Sequence, residues 1–166
     1  ASEVVITAGS VTTVDFVMGA PPEIDIVTPS VAGERAFGKY AINWTDSDPD
    51  NAASISLYFD NDNTGADGAL ITEGISEDSV IDHYEWNTTS TSEGIYWIYG
   101  VIDDEVNPPV VSYSSGSVMV SEISKNNLRD HILGVAAIPP SRISYADFNG
   151  DGALDIADLI VLINHE

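Results

Sequence analysis

The sequence predicts a mainly β protein, a sandwich of antiparallel strands followed by a small α-helical segment. Three observations support this prediction. Residues 22–120 contain short β-type runs separated by turn clusters, at spacings suited to a two-layer sandwich. The same stretch shows no helical periodicity. Residues 159–163 form an unbroken apolar run directly after an Asp- and Gly-rich loop, a pattern typical of a loop that leads into a helix.

The composition limits the functions open to this chain. Its 166 residues give room for one domain of ordinary size and an appendage. Acidic residues number 27 against 5 basic ones, and the formal charge of -22 argues against nucleic acid or anionic membranes as partners. The chain has no cysteine, no apolar run that could span a membrane and no signal peptide. We therefore expect an internal piece of a longer, secreted multidomain chain.

Residues 1–20 are predicted to form a hairpin. Two β-type runs, Val4–Thr7 and Val11–Met18, flank a turn at Ala8–Ser10. The stretch Val5–Val17 resembles the last hairpin of carboxypeptidase-regulatory-like surface modules, which implies the tail of a preceding β module. The alternative is an edge hairpin that joins the following sandwich, because a two-stranded hairpin is only marginally stable alone.

Residues 21–121 are predicted to form the sandwich, and Pro21-Pro22 marks its beginning. Trp44 is the candidate for the central core aromatic. Alternate residues of the sixth run, Gly94–Ile102, point to the core, and these are Tyr96, Ile98, Gly100 and Ile102. The predicted strands are Ile24–Val27, Ala36–Trp44, Ser54–Asp60, Ala69–Thr72, Val80–Trp86, Gly94–Ile102 and Val110–Val120.

Three segments of this region resemble Ig-like or fibronectin-III-like repeats of bacterial and archaeal surface proteins. They are Ile42–Asp50, Ile55–Asn63 and Gly94–Asp104. The resemblance implies a non-catalytic spacer that works outside the cell or on its surface. It also makes Tyr96 the candidate for a tyrosine corner, in which the hydroxyl bonds back to the backbone a few residues upstream.

Residues 147–158, DFNGDGALDIAD, match the calcium loop of an EF-hand. Oxygen-bearing residues occupy loop positions 1, 3, 5, 9 and 12, and Gly152 occupies position 6, where the chain must turn sharply. A hard cation such as calcium (Ca2+) needs six or seven oxygens around it, and this spacing supplies them. The predicted metal ligands are Asp147, Asn149, Asp151, the Ala153 carbonyl, Asp155 through a water, and Asp158.

The loop and the helix after it resemble one family more closely. Position 12 is Asp instead of the usual Glu, and the whole segment Tyr145–Asn164 resembles a dockerin repeat. Dockerins bind cohesin domains in extracellular assemblies, and the family implies two loop–helix repeats. Residues 128–134 look like the helix of a first repeat, capped by Asn126 or Asn127 and ended by Gly134. The first calcium loop is missing, so the resemblance covers residues 126–166.

The dockerin resemblance also implies a partner-binding surface at loop positions 10 and 11 and on the following helix. The residues at those positions are Ile156, Ala157, Leu159, Leu162, Ile163 and Asn164. A competing interpretation places the apolar members in the core. Ile156, Leu159 or Ile160, and Ile163 follow the spacing of one buried helix face.

Two acidic loops in the sandwich are candidates for further calcium binding. Asp60, Asp62 and Asp67 lie in one loop and are the possible second metal site. Asp46, Asp48 and Asp50 alternate in the other. Alternating carboxylates converge readily on calcium. The alternative is a solvated turn held by the hydrogen bonds that Asp and Asn side chains make to nearby backbone groups.

Catalytic patterns are absent from the sequence, and we predict no enzyme activity. The chain has three scattered histidines, no cysteine nucleophile and no G-x-S-x-G elbow. Trp97 and Tyr99 alternate with the core-facing residues, so they should lie on the other face of their strand. If Trp97 and Tyr99 are exposed on that face, they could stack on sugar rings. If they are covered, the C-terminal helices could pack against that face.

These observations leave one leading function and two alternatives. The leading hypothesis is an assembly module in which a calcium-loaded, dockerin-like segment on an Ig-like spacer binds a cohesin-like domain. The first alternative is a calcium-stabilised structural or adhesion segment of a surface protein. The second is an accessory carbohydrate-binding module of a secreted polysaccharide hydrolase.

Overall fold

The computed structural model describes residues 19–165, so the predicted hairpin over residues 1–18 lies outside the described residues. The strands are β1 (Glu23–Ile26), β2 (Glu34–Ala36), β3 (Lys39–Ser47), β4 (Ser54–Asp60), β5 (Ala69–Ser76), β6 (His83–Asn87), β7 (Gly94–Asp103), β8 (Val110–Tyr113) and β9 (Val118–Val120). The helices are α1 (Lys125–Ile132), α2 (Ile143–Ala146) and α3 (Ile156–Asn164), with a 3-10 turn at Pro140–Arg142. The predicted mainly β class is confirmed.

The strands form two sheets that enclose one core. The first sheet has the order β1-β3-β6, and the second has the order β2-β9-β7-β4-β5, with β8 also paired to β7. Every pair is antiparallel except β2 with β9, which run parallel. The prediction that all neighbouring strands are antiparallel is therefore wrong for β2 and β9. The chain leaves β1 in one sheet and crosses to the other, where β2 lies alongside β9.

Two predicted strands are each divided in the structure. The run Ala36–Trp44 is split by a turn at Gly38, which has φ 75°, so β2 and β3 belong to different sheets. The run Val110–Val120 is interrupted after Tyr113. There the Ser114 hydroxyl donates to the Gly116 carbonyl and accepts from the Ile98 N–H. The period-2 pattern continues from Ala36 through Gly38 to Trp44, which hides the first break, whereas the second break lies in a Ser- and Gly-rich stretch that is a turn signal.

The core predictions for the sandwich hold. Trp44 is 3% exposed, and Ile98 and Ile102 are fully buried. The first apolar cluster lies between the two sheets and contains Ile24, Ile26, Ala36, Tyr40, Ile42, Trp44, Ala53, Ile55, Leu57, Trp86, Tyr96, Ile98, Ile102, Val118 and Val120. The Tyr96 hydroxyl donates to the Ser92 carbonyl at 3.0 Å, which is the hydrogen bond of a tyrosine corner.

The C-terminal segment has an apolar cluster of its own. It contains Ile123, Leu128, Ile138, Ala146, Phe148 and Leu162, with α1 packed against α3. The N-cap of α1 is Ser124, whose side chain accepts from the Asn127 N–H; the prediction of an Asn126 or Asn127 cap is wrong. The Asn127 side chain instead completes a capping box.

Helix α1 ends at Ile132, and Gly134, the residue predicted to end it, follows its C-cap Leu133. Gly134 has φ 71° and donates to the His131 carbonyl, while Val135 donates to the Asp130 carbonyl. This pair of bonds is a Schellman motif, which satisfies the last carbonyls of the helix.

The chain runs through the sandwich from one end to the other. Glu23 pairs with Ser47, at the end where β4 begins and β7 finishes. Val120, the last residue of β9, pairs with Gly94 at the opposite end of β7. The C-terminal segment therefore leaves from the end of the sandwich that is remote from Glu23.

The tyrosine corner gives the first prediction. Tyr96→Phe should lower the free energy of unfolding by about 1 kcal/mol, because the partly buried hydrogen bond to the Ser92 carbonyl is lost while the ring stays packed. Urea unfolding followed by tryptophan fluorescence measures this. Tyr84→Phe is the matched control, since no hydrogen bond of its hydroxyl is found within residues 19–165. Equal losses in the two variants would contradict the prediction.

Candidate metal centre

The Asp-rich loop joins α2 to α3 and has buried carboxylates at both ends. Asp147 follows α2 and is 9% exposed, and Asp158 in the first turn of α3 is fully buried. Asn149, Asp151 and Asp155 lie on the exposed side of the loop. A loop that buries its first and last carboxylates needs positive or hydrogen-bonding groups around them.

Backbone N–H groups supply most of that environment. Asp147 Oδ1 accepts from Gly150 and Asp151 at 2.8 and 3.2 Å, and its Oδ2 accepts from Gly152 at 2.9 Å. Asp158 accepts from the N–H groups of Asn149 at 3.1 Å and Asp155 at 3.0 Å. These bonds draw both ends of the loop towards one point.

The middle of the loop turns around the same point. Gly150 and Gly152 have φ values of 75° and 86°, which side chains rarely tolerate. The Asn149 side chain accepts from the Asp151 N–H at 3.0 Å and donates to the Asp151 carboxylate at 2.8 Å. Asp155 is the N-cap of α3 and accepts from the Ala157 N–H at 2.7 Å.

The loop supplies donor atoms of the type that a hard cation binds. Positions 1, 3, 5 and 12 carry side-chain oxygens, which calcium prefers, and these oxygens accept hydrogen bonds from N–H groups of the same loop. Among residues 19–165, however, no group of three or more His, Asp or Glu side chains has the geometry of a ready metal cluster. Calcium at the predicted ligands therefore stays a prediction.

Helix α3 presents an apolar face to solvent. Ile156, Ile160 and Ile163 are 57%, 51% and 51% exposed, at the i, i+4, i+7 spacing of one face. The interpretation that this face is core is wrong. Leu162 is 5% exposed and faces the second apolar cluster, so its predicted role in partner binding is wrong. Ala157 and Leu159 are partly buried, and Asn164 is exposed.

The loop rests on the sandwich through Arg35 of β2. The Arg35 guanidinium donates to the carbonyls of Ser144 at 3.0 Å, Tyr145 at 3.3 Å and Asp147. It also lies 5.3 Å from the centre of the Phe148 ring. Burial lowers the pKa of Arg35, whereas the carboxylates of Asp147 and Asp158 raise it.

Two further contacts complete this docking interface. Arg142 makes a two-pronged ion pair with Glu93, at 2.8 and 2.7 Å, and both side chains are partly buried. Phe37 stacks on His165 at 4.1 Å and lies 5.8 Å from Phe148. Sequence reasoning missed Arg35, Phe37 and Arg142; the one available signal was that basic residues are so scarce in this chain.

The possible second metal site has internal hydrogen bonds. Asp60 is 6% exposed and accepts from the Asn61 N–H and the Tyr113 hydroxyl, both at 2.7 Å. Burial, followed by the bond to Asp60, raises the pKa of Tyr113 to about 12. Asp62 accepts from the N–H and hydroxyl of Thr64. These bonds fit the turn interpretation, and calcium at Asp60, Asp62 and Asp67 stays a prediction.

The other acidic loop concentrates charge near the start of the sandwich. Asp46 accepts from the Trp44 indole N–H at 2.5 Å. Burial, and then the negative charges of Asp82 and Glu77, raise the pKa of Asp46. Glu77 also accepts from the Asp48 N–H at 2.9 Å. Asp46 is therefore repelled by the carboxylates of Asp82 and Glu77, which lie outside its own loop.

The aromatic face considered for sugar binding is covered. Tyr99 is 2% exposed, between Tyr58 and Tyr113, each with its ring centre 4.8 Å away. Trp97 is partly buried. The expectation that the C-terminal helices would cover this face is also wrong, because they dock at Arg35, Phe37 and Glu93 instead.

Comparisons with known proteins extend only to the fold. No family model and no curated protein match the chain. It is similar to an endo-beta-1,4-mannanase from Thermotoga petrophila (10% identity, 63% of this chain and 20% of that chain, TM-score 0.42). It is also similar to a CARDB domain from Pyrococcus furiosus, in complex with di-metal ions (21% identity, 64% and 97%, TM-score 0.37). The RIG-5 IG1 homodimer is another neighbour (16% identity, 61% and 99%, TM-score 0.30).

These structural neighbours include Ig-like domains. The present chain covers about a fifth of the length of the mannanase chain. Among the helices of residues 19–165, none has the length and apolar character needed to cross a membrane.

The raised pKa of Asp46 gives a prediction with a definite sign. A carboxyl whose pKa is raised by folding stabilises the fold while protonated, and this contribution is lost as pH rises through the folded pKa. Asp46→Asn should therefore raise the melting temperature at pH 7 by a few degrees. The gain should shrink as pH falls from the raised pKa of folded Asp46 towards 3.8, the ordinary pKa of Asp, and should be absent below it.

Differential scanning calorimetry between pH 3 and pH 8 checks this behaviour (a range of about five pH units around the ordinary carboxyl pKa). Asp25→Asn removes the same charge from an exposed position on β1 and is the control. A gain at Asp46 that does not depend on pH, or that Asp25→Asn reproduces, would contradict the proposed cause.

Proposed function

We propose that this protein is a non-catalytic extracellular assembly module. Its C-terminal segment binds calcium at the Asp147–Asp158 loop and uses the following helix to bind a cohesin-type domain, while the Ig-like sandwich acts as a spacer. The observation that carries the proposal is the exposed apolar face of α3, directly after the Asp-rich loop. The dockerin-like pattern of Tyr145–Asn164 supplies the identity of the partner.

The exposed face has the character of a protein contact. Three isoleucines at helical spacing are exposed to water on this face. A second apolar surface, such as that of another protein, would be needed to bury them. The stripe lies beside exposed polar positions such as Asp155 and Asn164. A partner with an apolar centre and a basic rim would suit both the stripe and the charge of -22.

Calcium has a positioning role in this proposal. Asp155 and Asp158 form the capping box of α3, and Asp158 also accepts from Asn149 across the loop. An ion held by Asp147, Asp151 and Asp158 would fix the direction in which α3 leaves the loop. The isoleucine stripe would then be presented to the partner at a fixed angle.

A second candidate function is supported by the docking interface. Arg35, Phe37 and the Arg142–Glu93 pair attach the C-terminal segment to the sandwich. In this alternative, calcium stabilises a rigid terminal segment of a surface or adhesion protein, and no cohesin is bound. Both candidates require calcium binding, so measurements of partner binding separate them.

Calcium binding is expected at millimolar or tighter affinity. Isothermal titration calorimetry should give one site with a dissociation constant of about 10⁻⁴ to 10⁻³ M, the range of extracellular calcium modules. Asp147→Ala should remove most of the binding heat, because position 1 anchors the loop through three N–H groups. Asp78→Ala removes an exposed charge of the sandwich and should leave the heat unchanged. Absence of heat in the unmodified protein would end both candidates.

Partner binding should depend on the α3 stripe and on calcium. In a pull-down against a panel of cohesin domains, the unmodified protein should bind with calcium and be released by a chelator. Ile160→Asp and Ile163→Asp should each weaken binding at least about tenfold and leave calcium affinity unchanged, because neither side chain is a ligand. Val80→Asp is the control, since Val80 is 97% exposed on the sandwich.

The outcome decides between the two functions. Calcium binding without any cohesin binding at micromolar concentration favours the structural candidate. Loss of binding in Val80→Asp as well would show that the assay reports added negative charge and not the stripe.

A further inference from the structure

Arg35 belongs to the sandwich, yet its contacts are with the C-terminal loop. The residue lies at the centre of β2, which is paired with β9 through Arg35 and Met119. Its guanidinium reaches the carbonyls of Ser144, Tyr145 and Asp147. These carbonyls lie in α2 and at the first residue of the loop, where a short helix leaves its last acceptors without helical partners.

The same guanidinium lies in the electric field of both buried carboxylates. Asp147 and Asp158 each interact favourably with the Arg35 charge. The guanidinium carbon lies over the ring of Phe148, 5.3 Å from the ring centre, and Phe148 follows Asp147 directly. Arg35 is therefore linked to the first and last acidic positions of the loop and to the backbone that leads into it.

We propose that Arg35 is the resident counter-ion and positioning residue of the calcium loop. It holds the loop on the sandwich when no calcium is bound, and it gives up part of that electrostatic role when the ion arrives. Arg35 is separated from Asp147 by 112 residues in the sequence. It supports the loop in a chain that lacks a first calcium repeat. The inference rests on the calcium-binding part of the proposed function and not on cohesin binding.

The charge balance sets the sign of the effect. Without calcium, Asp147 and Asp158 are two negative charges in a poorly solvated place, and the guanidinium attracts both. With calcium bound, the ion offsets those charges and repels the guanidinium. Removing Arg35 should therefore loosen the calcium-free loop more than the loaded loop.

Amide hydrogen exchange on the full chain tests this difference. Exchange of residues 143–165 is measured for the unmodified protein, Arg35→Gln, Arg35→Lys and Arg142→Gln, each in chelator and in excess calcium. Arg142→Gln is the matched control. It removes an ion pair from the same docking interface, and the structure links the Arg142 charge to Glu93 and Glu122 rather than to the loop carboxylates.

In chelator, Arg35→Gln should exchange at least about tenfold faster than the unmodified protein over this segment. Excess calcium should restore most of the protection. Arg35→Lys keeps the charge without the planar fork, so it should show a smaller loss with the same calcium dependence. Arg142→Gln should lose protection by the same factor with and without calcium.

The opposite results overturn the inference. If Arg35→Gln loses protection equally in chelator and calcium, as the control does, Arg35 is an ordinary interface residue. If Arg35→Gln exchanges like the unmodified protein in chelator, the guanidinium does not hold the loop. Failure of the calcium proposal would look different: the unmodified protein would give no binding heat, and calcium would change exchange in none of the four proteins.

Discussion

The excess of carboxylates over basic side chains is the constraint on which the rest of this structure depends. With 27 acidic residues and 5 basic ones, most buried carboxylates must be satisfied by something other than a salt bridge. Asp104 accepts hydrogen bonds from the N–H groups of Val106 and Asn107. Asp158 accepts from those of Asn149 and Asp155. Asp147 accepts from three backbone N–H groups of its own loop. Turns rich in Asp, Asn and Gly are therefore the means by which the fold buries negative charge. Two of the three guanidinium groups, those of Arg35 and Arg142, lie where the C-terminal segment meets the sandwich.

Contacts at this junction connect the apolar cluster of the sandwich with that of the C-terminal segment. Phe37 leaves the β2–β3 turn of the sandwich and packs with Phe148 and His165 of the C-terminal segment. Arg142 and Glu93 hold the same junction with a bidentate pair, which is geometrically stricter than a single contact. A loop–helix unit with one repeat has too little apolar area to be stable alone. The sandwich supplies the missing surface, so the loop, α3 and β2 should respond together to ligand or to mutation.

Local patterns predicted the parts of the structure that local physics decides. Alternation along β7 placed Tyr96, Ile98 and Ile102 correctly, and Gly134 was correctly predicted to end α1, because side-chain period and positive φ leave a mark on a few neighbouring residues. Leu162, which was assigned to the partner-binding face of α3, is buried, and the alternative that placed Ile156, Ile160 and Ile163 in the core is wrong. Leu162 and Ile160 are equally apolar, and only the position of α1 and Phe148 decides which is buried. Arg35 was missed for the same reason, since nothing within its own segment refers to a loop 112 residues further on.

The parallel pairing of β2 with β9 also bears on how the chain transmits force. The chain enters the sandwich at the Glu23 end and leaves it at the Val120 end, so tension on a longer polypeptide would act along its length. Tension pulls β2 back from its first residue and β9 forward from its last. Two parallel strands pulled in opposite directions slide past each other, and their hydrogen bonds are loaded together as a shear instead of opening one at a time like a zip. Under such tension the β2–β9 pair would be loaded in shear, and the pair includes Arg35, which also contacts the C-terminal loop.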